Sequence, residues 1–148
     1  MDLTYDLNVK GTWHWCKHAV LSMRRHGKTK GSVINLSSVV GLVGSATAQL
    51  ACTRSKGAII AMTRELAIVR AREGFRFTAL CSGPLGTPHM QDYLGPDVKR
   101  RARREIHLPQ GRFGKPIEQA AAALFLASDA SSFVNAQQFV VDGGLSKV

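Results

Sequence analysis

The densest cluster of charged, ligand-binding side chains is a basic run, Lys99-Arg100-Arg101-Ala102-Arg103-Arg104. Guanidinium and ammonium groups at this density are typical of a phosphate-binding patch or a localisation signal. They are equally typical of a solvated helix face. No aromatic residue interleaves with the run, so we do not expect it to stack on nucleic-acid bases.

The overall charge agrees with an anionic partner of some kind. Lys and Arg number 20 against 10 Asp and Glu, which gives a formal net charge of +10. A balance of this sign is compatible with a nucleotide cofactor, a nucleic acid or an acidic membrane surface. Charge alone does not choose among these three.

Cysteine and histidine residues favour neither a disulfide scaffold nor a metal centre. Cys16, Cys52 and Cys81 are odd in number and lack metal-ligand spacing, which predicts a reducing compartment such as the cytoplasm. His14 and His18 lie four residues apart and could share a metal. The sequence offers no third ligand near them, so we expect no metal site.

Length and composition are those of one domain. The chain has 148 residues, of which 45% are hydrophobic and 20% charged, so it is large enough to bury a core. Its longest apolar run, 120–127, is much shorter than the roughly 18 residues of a membrane span. The first residues contain no apolar stretch typical of a signal peptide. We therefore expect neither membrane insertion nor secretion.

Hydrophobic periodicity predicts alternating helices and strands. The helices are expected over 2–26, 49–72 and 116–128, with a weaker basic helix over 89–106. The strands are expected over 31–37, 75–81 and 139–141. Gly27 and Gly74 stand where helix C-terminal caps belong.

This order predicts the α/β class, with a partial doubly wound (Rossmann-like) parallel sheet covered by helices on both faces. Such sheets bind ligands outside the carboxyl ends of their strands. The loops 38–48, 82–88 and 142–148 should therefore lie together at the ligand-binding edge.

Several motifs in a fixed order resemble the catalytic, C-terminal half of a classical short-chain dehydrogenase/reductase. They are Asn8-Val9-Lys10-Gly11, Ile34-Asn35-Leu36-Ser37-Ser38, Ser55-Lys56-Gly57-Ala58, Ser82-Gly83-Pro84-Leu85-Gly86-Thr87-Pro88, Gly111-Arg112-Phe113-Gly114-Lys115-Pro116, Phe125-Leu126-Ala127-Ser128-Asp129 and Val141-Asp142-Gly143-Gly144. The resemblance covers essentially the whole chain and predicts one domain over 1–148.

The resemblance implies NAD(P)-dependent interconversion of an alcohol and a ketone. In that family an Asn relays protons through a water, a Ser orients the substrate oxygen and a Lys binds the nicotinamide ribose. Asn8, Ser38 and Lys56 match these three positions. Gly83 and Thr87 match the loop beside the cofactor, which is NADP or NAD. Such a site meets the charge that develops on the substrate oxygen.

The catalytic Tyr position of the family, four residues before the Lys, is Cys52 here. The spacing places Cys52 and Lys56 on one helix face, where a cation favours the thiolate form of a cysteine. The side chain is nevertheless much shorter than a phenol, and a misplacement of about 1 Å can cost roughly 100-fold in rate. Tyr93, in the segment that resembles the substrate loop, is an alternative proton donor.

Further departures concern the cofactor. Thr78 stands where the family usually has Asn, Ser82 replaces its Pro and Arg54 replaces a small residue. No strand with a glycine-rich turn precedes Asn8, although the family's dinucleotide fingerprint belongs there. We therefore expect a truncated domain that does not by itself hold NAD(P) as the family does. Its strand over 31–37 should then have an exposed edge.

Two functions follow from these observations. The first is the family's oxidoreduction, with a small alcohol or ketone as substrate and with activity impaired by Cys52. The alternative is an interaction protein that pairs with an intact relative through the helices at 2–26 and 49–72. Either function predicts a homo- or hetero-oligomer. We expect no membrane partner and no nucleic acid.

Overall fold

The computed structural model describes residues 2–45 and 47–148; Ala46, in the predicted loop 38–48, lies outside the described residues. Three parallel strands form one sheet in the order β1-β2-β3: β1 (Gly31–Ser38), β2 (Phe75–Ser82) and β3 (Gln138–Val141). Helices cover both faces of this sheet. The predicted α/β class is therefore confirmed.

The first predicted helix is present in three successive pieces. α1 (Asp2–Tyr5) continues through a π-helical turn (Asp6–Lys10) into α2 (Gly11–Arg25). Gly27 follows with a φ of +64°, the left-handed conformation that ends a helix at low cost to glycine.

α3 (Leu50–Arg70) and α6 (Pro116–Ala127) agree with the predicted helices to within two residues at each end. A 3-10 turn over Ala71–Glu73 extends α3, and Gly74 follows it with a φ of +81°. A Cβ at Gly74 would lie 2.1 Å from the carbonyl oxygen of Thr29. This position therefore requires glycine for both its conformation and its space.

The predicted basic helix over 89–106 is two helices. α4 (Pro88–Leu94) and α5 (Val98–Glu105) are separated by Gly95, whose φ is +67°, and by Pro96. Proline has no N–H to continue the α4 hydrogen bonds, so the break is local in origin. Across residues 2–45 and 47–148, none of the helices combines the length and the apolar character needed to cross a membrane.

One face of the sheet packs against α2 and α3. Cys16 and Val20 from α2 meet Ala67 from α3 and Phe75 and Phe77 from β2, and all five are buried. Within this core a polar chain joins three elements: the Cys16 thiol donates to Asn35, and the Asn35 amide donates to Thr63 at 2.9 Å. Thr63 donates in turn to the Ile59 carbonyl.

The other face of the sheet packs against α6, and the side chain of Arg76 on β2 contacts the C-terminal end of this helix. The Arg76 guanidinium donates to the Leu126, Ser128 and Val134 carbonyls and to the Ser131 hydroxyl, at 3.0–3.3 Å. The Leu126 and Ser128 carbonyls lie at the C-terminal end of α6, where helical N–H donors run out and a cation is favourable.

Several large apolar residues of the first helical region are exposed. Leu3, Leu7 and Trp13 are 71%, 66% and 45% exposed. β1 lies at the sheet edge, and among the described residues no strand pairs with its outer side. Leu36 of β1 is 62% exposed on the α6 side of the sheet.

Two equally buried threonines provide a stability test. Thr78 and Thr63 are each 1% exposed, but the Thr78 hydroxyl has no hydrogen-bond partner among the described residues. Thr78→Val should raise the free energy of unfolding by about 1 kcal/mol, because it removes a buried hydroxyl that has no partner. Thr63→Val should lower it by about 1–3 kcal/mol, because Asn35 loses its acceptor. Urea denaturation followed by circular dichroism measures both, and a stabilised Thr63→Val would contradict this account.

Candidate active site

Ser38 ends β1 at the carboxyl edge of the sheet. Its hydroxyl accepts from the Val40 N–H at 3.4 Å and thereby caps the 3-10 turn over Val39–Gly41. The same hydroxyl donates to the Ser82 carbonyl at 3.3 Å. Both bonds are long, compared with about 2.9–3.0 Å for a typical N–H···O bond and about 2.7–2.8 Å for a typical O–H···O bond, so little energy opposes their release.

Lys56 is fixed beside the same strand end. Its ammonium donates to the Leu36 carbonyl at 3.0 Å, and the Ser37 hydroxyl donates to the Lys56 carbonyl at 2.9 Å. Gly41 allows this close approach, because a Cβ there would lie 2.8 Å from the backbone of α3 at Gly57. The structure therefore brings Ser38 and Lys56 to one corner of the sheet edge.

Asn8 reaches Cys52 through a third residue, Ser55. The Asn8 amide donates to the Ser55 hydroxyl at 2.9 Å, and that hydroxyl donates to the Cys52 carbonyl at 2.8 Å. Ser55 is 1% exposed and was not predicted as a site residue, although it lies in the Ser55-Lys56-Gly57-Ala58 motif. Asn8 lies in the middle of the π-helical turn, a feature frequent at functional sites.

The three cysteines lie in different environments. Cys52 is half-buried on α3, whereas Cys16 and Cys81 are 1% and 0% exposed. Burial raises the pKa of the Cys16 thiol and of the Cys81 thiol above their ordinary value. Cys52 is therefore the thiol with access to solvent.

The remaining predicted site residues, Gly83 and Thr87, lie in the loop after β2. A Cβ at Gly83 would lie 2.7 Å from the Cα of Asp142, so this glycine permits the contact between the loops after β2 and β3. Thr87 accepts from the Met90 N–H and caps α4. Ser82, at the position of the family's proline, donates to the side-chain oxygen of Gln119 at 3.1 Å.

Tyr93 and Arg54 belong to separate surroundings. Tyr93 lies on α4 beneath the guanidinium groups of Arg100 and Arg104, and Arg54 lies over the Tyr5 ring. In the part of the chain that the structure describes, no three His, Cys, Asp or Glu side chains are grouped as metal ligands.

These residues fit one end of a nicotinamide cofactor. The Lys56 ammonium has further N–H donors besides the one that binds Leu36, and the Ser38 hydroxyl is weakly held beside it. The described residues contain no strand, glycine-rich turn and helix in succession before Asn8 that could bind a pyrophosphate. Lys56 is thus the residue that would hold the nicotinamide ribose, and the described residues before Asn8 contain no such turn for the phosphates.

Comparison with known proteins shows which family this arrangement belongs to. A family model described as enoyl-(acyl carrier protein) reductase matches residues 1–146. The chain is 40% identical to 2-(S)-hydroxypropyl-CoM dehydrogenase 3 of Xanthobacter autotrophicus, over 99% of this chain and 58% of the relative. It is 36% identical to inactive 2-(S)-hydroxypropyl-CoM dehydrogenase 2 of the same organism, over 96% of this chain and 62% of the relative.

Solved structures of proteins related to this chain have the same fold. A gluconate 5-dehydrogenase from Burkholderia cenocepacia, in complex with NADP and tartrate, superposes with a TM-score of 0.85 at 30% identity. That match covers 95% of this chain and 54% of the other. The chain has the α/β fold of these proteins and belongs to the short-chain dehydrogenase/reductase family. It spans little more than half the length of these relatives.

Thiol labelling tests the assignment of Cys52. In the native chain at neutral pH a disulfide reagent such as DTNB should react promptly with a single thiol, because Cys16 and Cys81 are buried. Cys52→Ser should abolish this prompt phase, and Cys81→Ser should leave it unchanged. Prompt reaction of more than one thiol in the native chain would contradict the assignment.

Proposed function

We propose that this chain carries the proton-transfer part of an NAD(P)-dependent alcohol–ketone oxidoreductase, and that Cys52 weakens it. The observation that supports this most directly is the convergence of Ser38 and Lys56. The Lys56 ammonium binds the Leu36 carbonyl at 3.0 Å, and the Ser38 hydroxyl binds the Ser82 carbonyl of the neighbouring strand. Hydrogen-bond donors held in this way can meet the charge that develops on a substrate oxygen.

Reduction of a ketone adds a hydride to carbon and a proton to oxygen. The nicotinamide supplies the hydride when it is bound. Ser38 would release the Ser82 carbonyl and donate to the substrate oxygen. The Cys52 thiol would transfer its proton to that oxygen, and solvent would return one to the sulfur. Lys56, one helical turn later, would hold the ribose.

The position of the Cys52 thiol limits this proton transfer. Asn8 and Ser55 fix the backbone at Cys52, so the short thiol cannot move toward the place that a tyrosine hydroxyl would reach. Since misplacement by about 1 Å can cost roughly 100-fold, we expect at most trace turnover.

The cofactor end of the site can be tested by binding. Reduced nicotinamide mononucleotide should bind the 148-residue chain and shift amide resonances near Lys56. Lys56→Met should weaken this binding about tenfold, the loss of a charged hydrogen bond. Arg64→Met, an equal loss of charge at an exposed position of the same helix, should change it little. Equal weakening by both variants would refute the placement.

Turnover provides the second test. Neither the chain nor Cys52→Tyr should oxidise NADPH with a panel of ketones at a measurable rate, because the described residues contain no strand, glycine-rich turn and helix in succession before Asn8 to bind the cofactor's pyrophosphate. NADPH-dependent ketone reduction by Cys52→Tyr would show that this reasoning is wrong. It would leave the binding test of Lys56 unaffected.

The second candidate is an interaction partner of an intact relative. It is favoured by exposed apolar residues on the two long helices: Leu3, Leu7 and Trp15 before β1, and Leu50 and Ile68 on α3, all 66–76% exposed. Large apolar groups together on one surface mark interaction sites. One relative of the chain is named as inactive, which is compatible with such a role.

Sedimentation of the chain tests whether these exposed apolar residues form an interface between molecules. The chain should sediment as an oligomer, and the double variant Leu7→Glu/Trp15→Glu should shift it toward the monomer. The matched control is Leu124→Glu on α6, where a leucine is 72% exposed outside this surface. A monomeric wild type, or dissociation by the control alone, would remove the support for this candidate.

A further inference from the structure

The last paired residues of the three strands form one row at the carboxyl edge of the sheet. Ser38 of β1 is in register with Ser82 of β2, and Ser82 is in register with Val141 of β3. The Ser38 hydroxyl donates to the Ser82 carbonyl at 3.3 Å. The position of the Ser82 backbone therefore determines where the hydroxyl of the candidate catalytic serine lies.

A buried glutamine on α6 binds two residues of this row. Gln119 is 8% exposed, and its side-chain oxygen accepts from the Ser82 hydroxyl at 3.1 Å. Its side-chain nitrogen donates to the Val141 carbonyl at 2.7 Å. One amide group thus connects the end of β2 to the end of β3. A polar side chain this buried is tolerated because both of its groups are paired.

The Val141 carbonyl also fixes the first residue of the loop after β2. It accepts from the Gly83 N–H at 3.0 Å as well as from the Gln119 amide. The loops after β2 and β3 are already in close contact at Gly83 and Asp142. Because Gln119 and Gly83 share one acceptor, the glutamine contributes to the placement of this loop against β3.

The residue at position 82 explains why such a restraint is needed. The family has a proline at this position, and a proline ring would hold φ at about −65°. Serine has no ring, so hydrogen bonds must restrain the backbone at the end of β2. The Ser82 hydroxyl, a group that proline lacks, supplies one of these bonds through Gln119.

We propose that Gln119 is a positioning residue of the candidate active site. It acts through Ser82 on the Ser38 hydroxyl and through Val141 on Gly83. Together with the Ser82 hydroxyl, it replaces the backbone restraint that a proline would give. Its role is indirect, because both of its polar groups are already paired within the chain. The inference rests on the proposed function, in which Ser38 serves the substrate oxygen and Gly83 lies beside the cofactor.

The variant Gln119→Met tests this role, since it removes the amide and keeps an unbranched side chain. The Gly83 amide proton should exchange with solvent about tenfold faster, relative to that of Phe77, whose N–H binds Asn135 in the core. The affinity for reduced nicotinamide mononucleotide should fall about fivefold, the usual effect of one neutral hydrogen bond. Nuclear magnetic resonance of the 148-residue chain measures both quantities.

The matched control is Ser131→Ala, near the amino end of β2. Ser131 is 0% exposed, and its hydroxyl donates to the Leu126 carbonyl at 3.0 Å and accepts from Arg76. The control therefore also removes a buried polar group, at the opposite end of the sheet. It should lower the free energy of unfolding without changing the relative exchange of Gly83 or the nucleotide affinity.

A double-mutant cycle tests whether the pair acts as a unit. Ser82→Ala breaks the same contact from the strand, and it also serves if Gln119→Met does not fold by circular dichroism. The double variant Ser82→Ala/Gln119→Met should bind the mononucleotide no more weakly than Gln119→Met alone, because residues in one hydrogen-bond network are not additive. Fully additive losses would contradict action through Ser82.

Three further results would overturn the proposal. The first is faster exchange of Gly83 and Phe77 by equal factors in Gln119→Met, which would mean a general loss of stability. The second is an equal effect of Ser131→Ala on Gly83. The third is an unchanged nucleotide affinity in Gln119→Met when the wild type binds. If the wild type does not bind the mononucleotide, the proposed function fails, and the exchange of Gly83 alone decides the role of Gln119.

Discussion

The connection between the end of β1 and α3 determines where every candidate catalytic group lies. Ser37 binds the backbone of Lys56, and the Lys56 side chain binds the backbone of Leu36, so strand and helix are joined in both directions. The Ser37 hydroxyl is buried, so its bond satisfies a polar group that would otherwise be costly to leave unpaired beside the core. Because of this connection, Ser38 and the first turns of α3 form one unit, and the Asn8–Ser55–Cys52 chain extends it to the π-helical turn.

The elements of the fold could be predicted because each has a strong local signal. Gly27 and Gly74 end helices through positive φ angles, and the apolar strands read as buried parallel strands. Exposure of Leu3 and Trp13 could not be predicted, because an apolar stripe indicates a face that needs covering and does not say what covers it. The basic segment was predicted as one helix, since its overall composition outweighed the break at Gly95-Pro96.

For the candidate site, the sequence could indicate positions but not hydrogen-bond partners. Asn8, Ser38 and Lys56 were found by resemblance, and their roles remain proposals. The bond from Ser38 to the Ser82 carbonyl depends on the strand register that places these two residues side by side. Ser55 was missed because a serine inside a helix gives no signal of its own. The unpaired hydroxyl of Thr78 could not be predicted either, because its surroundings are defined only by the assembled sheet.

The order of the sheet has a consequence for synthesis of the chain. The strands lie in the order in which they occur in the sequence, and each pairs in parallel with the one before it. Among the three described strands, none therefore has to be inserted between two that are already paired. α3 and β2, which carry most of the buried apolar residues of the main core, leave the ribosome before α6 and β3 are made. Domains generally fold from the N-terminus during synthesis, and here each new strand meets a partner that already exists.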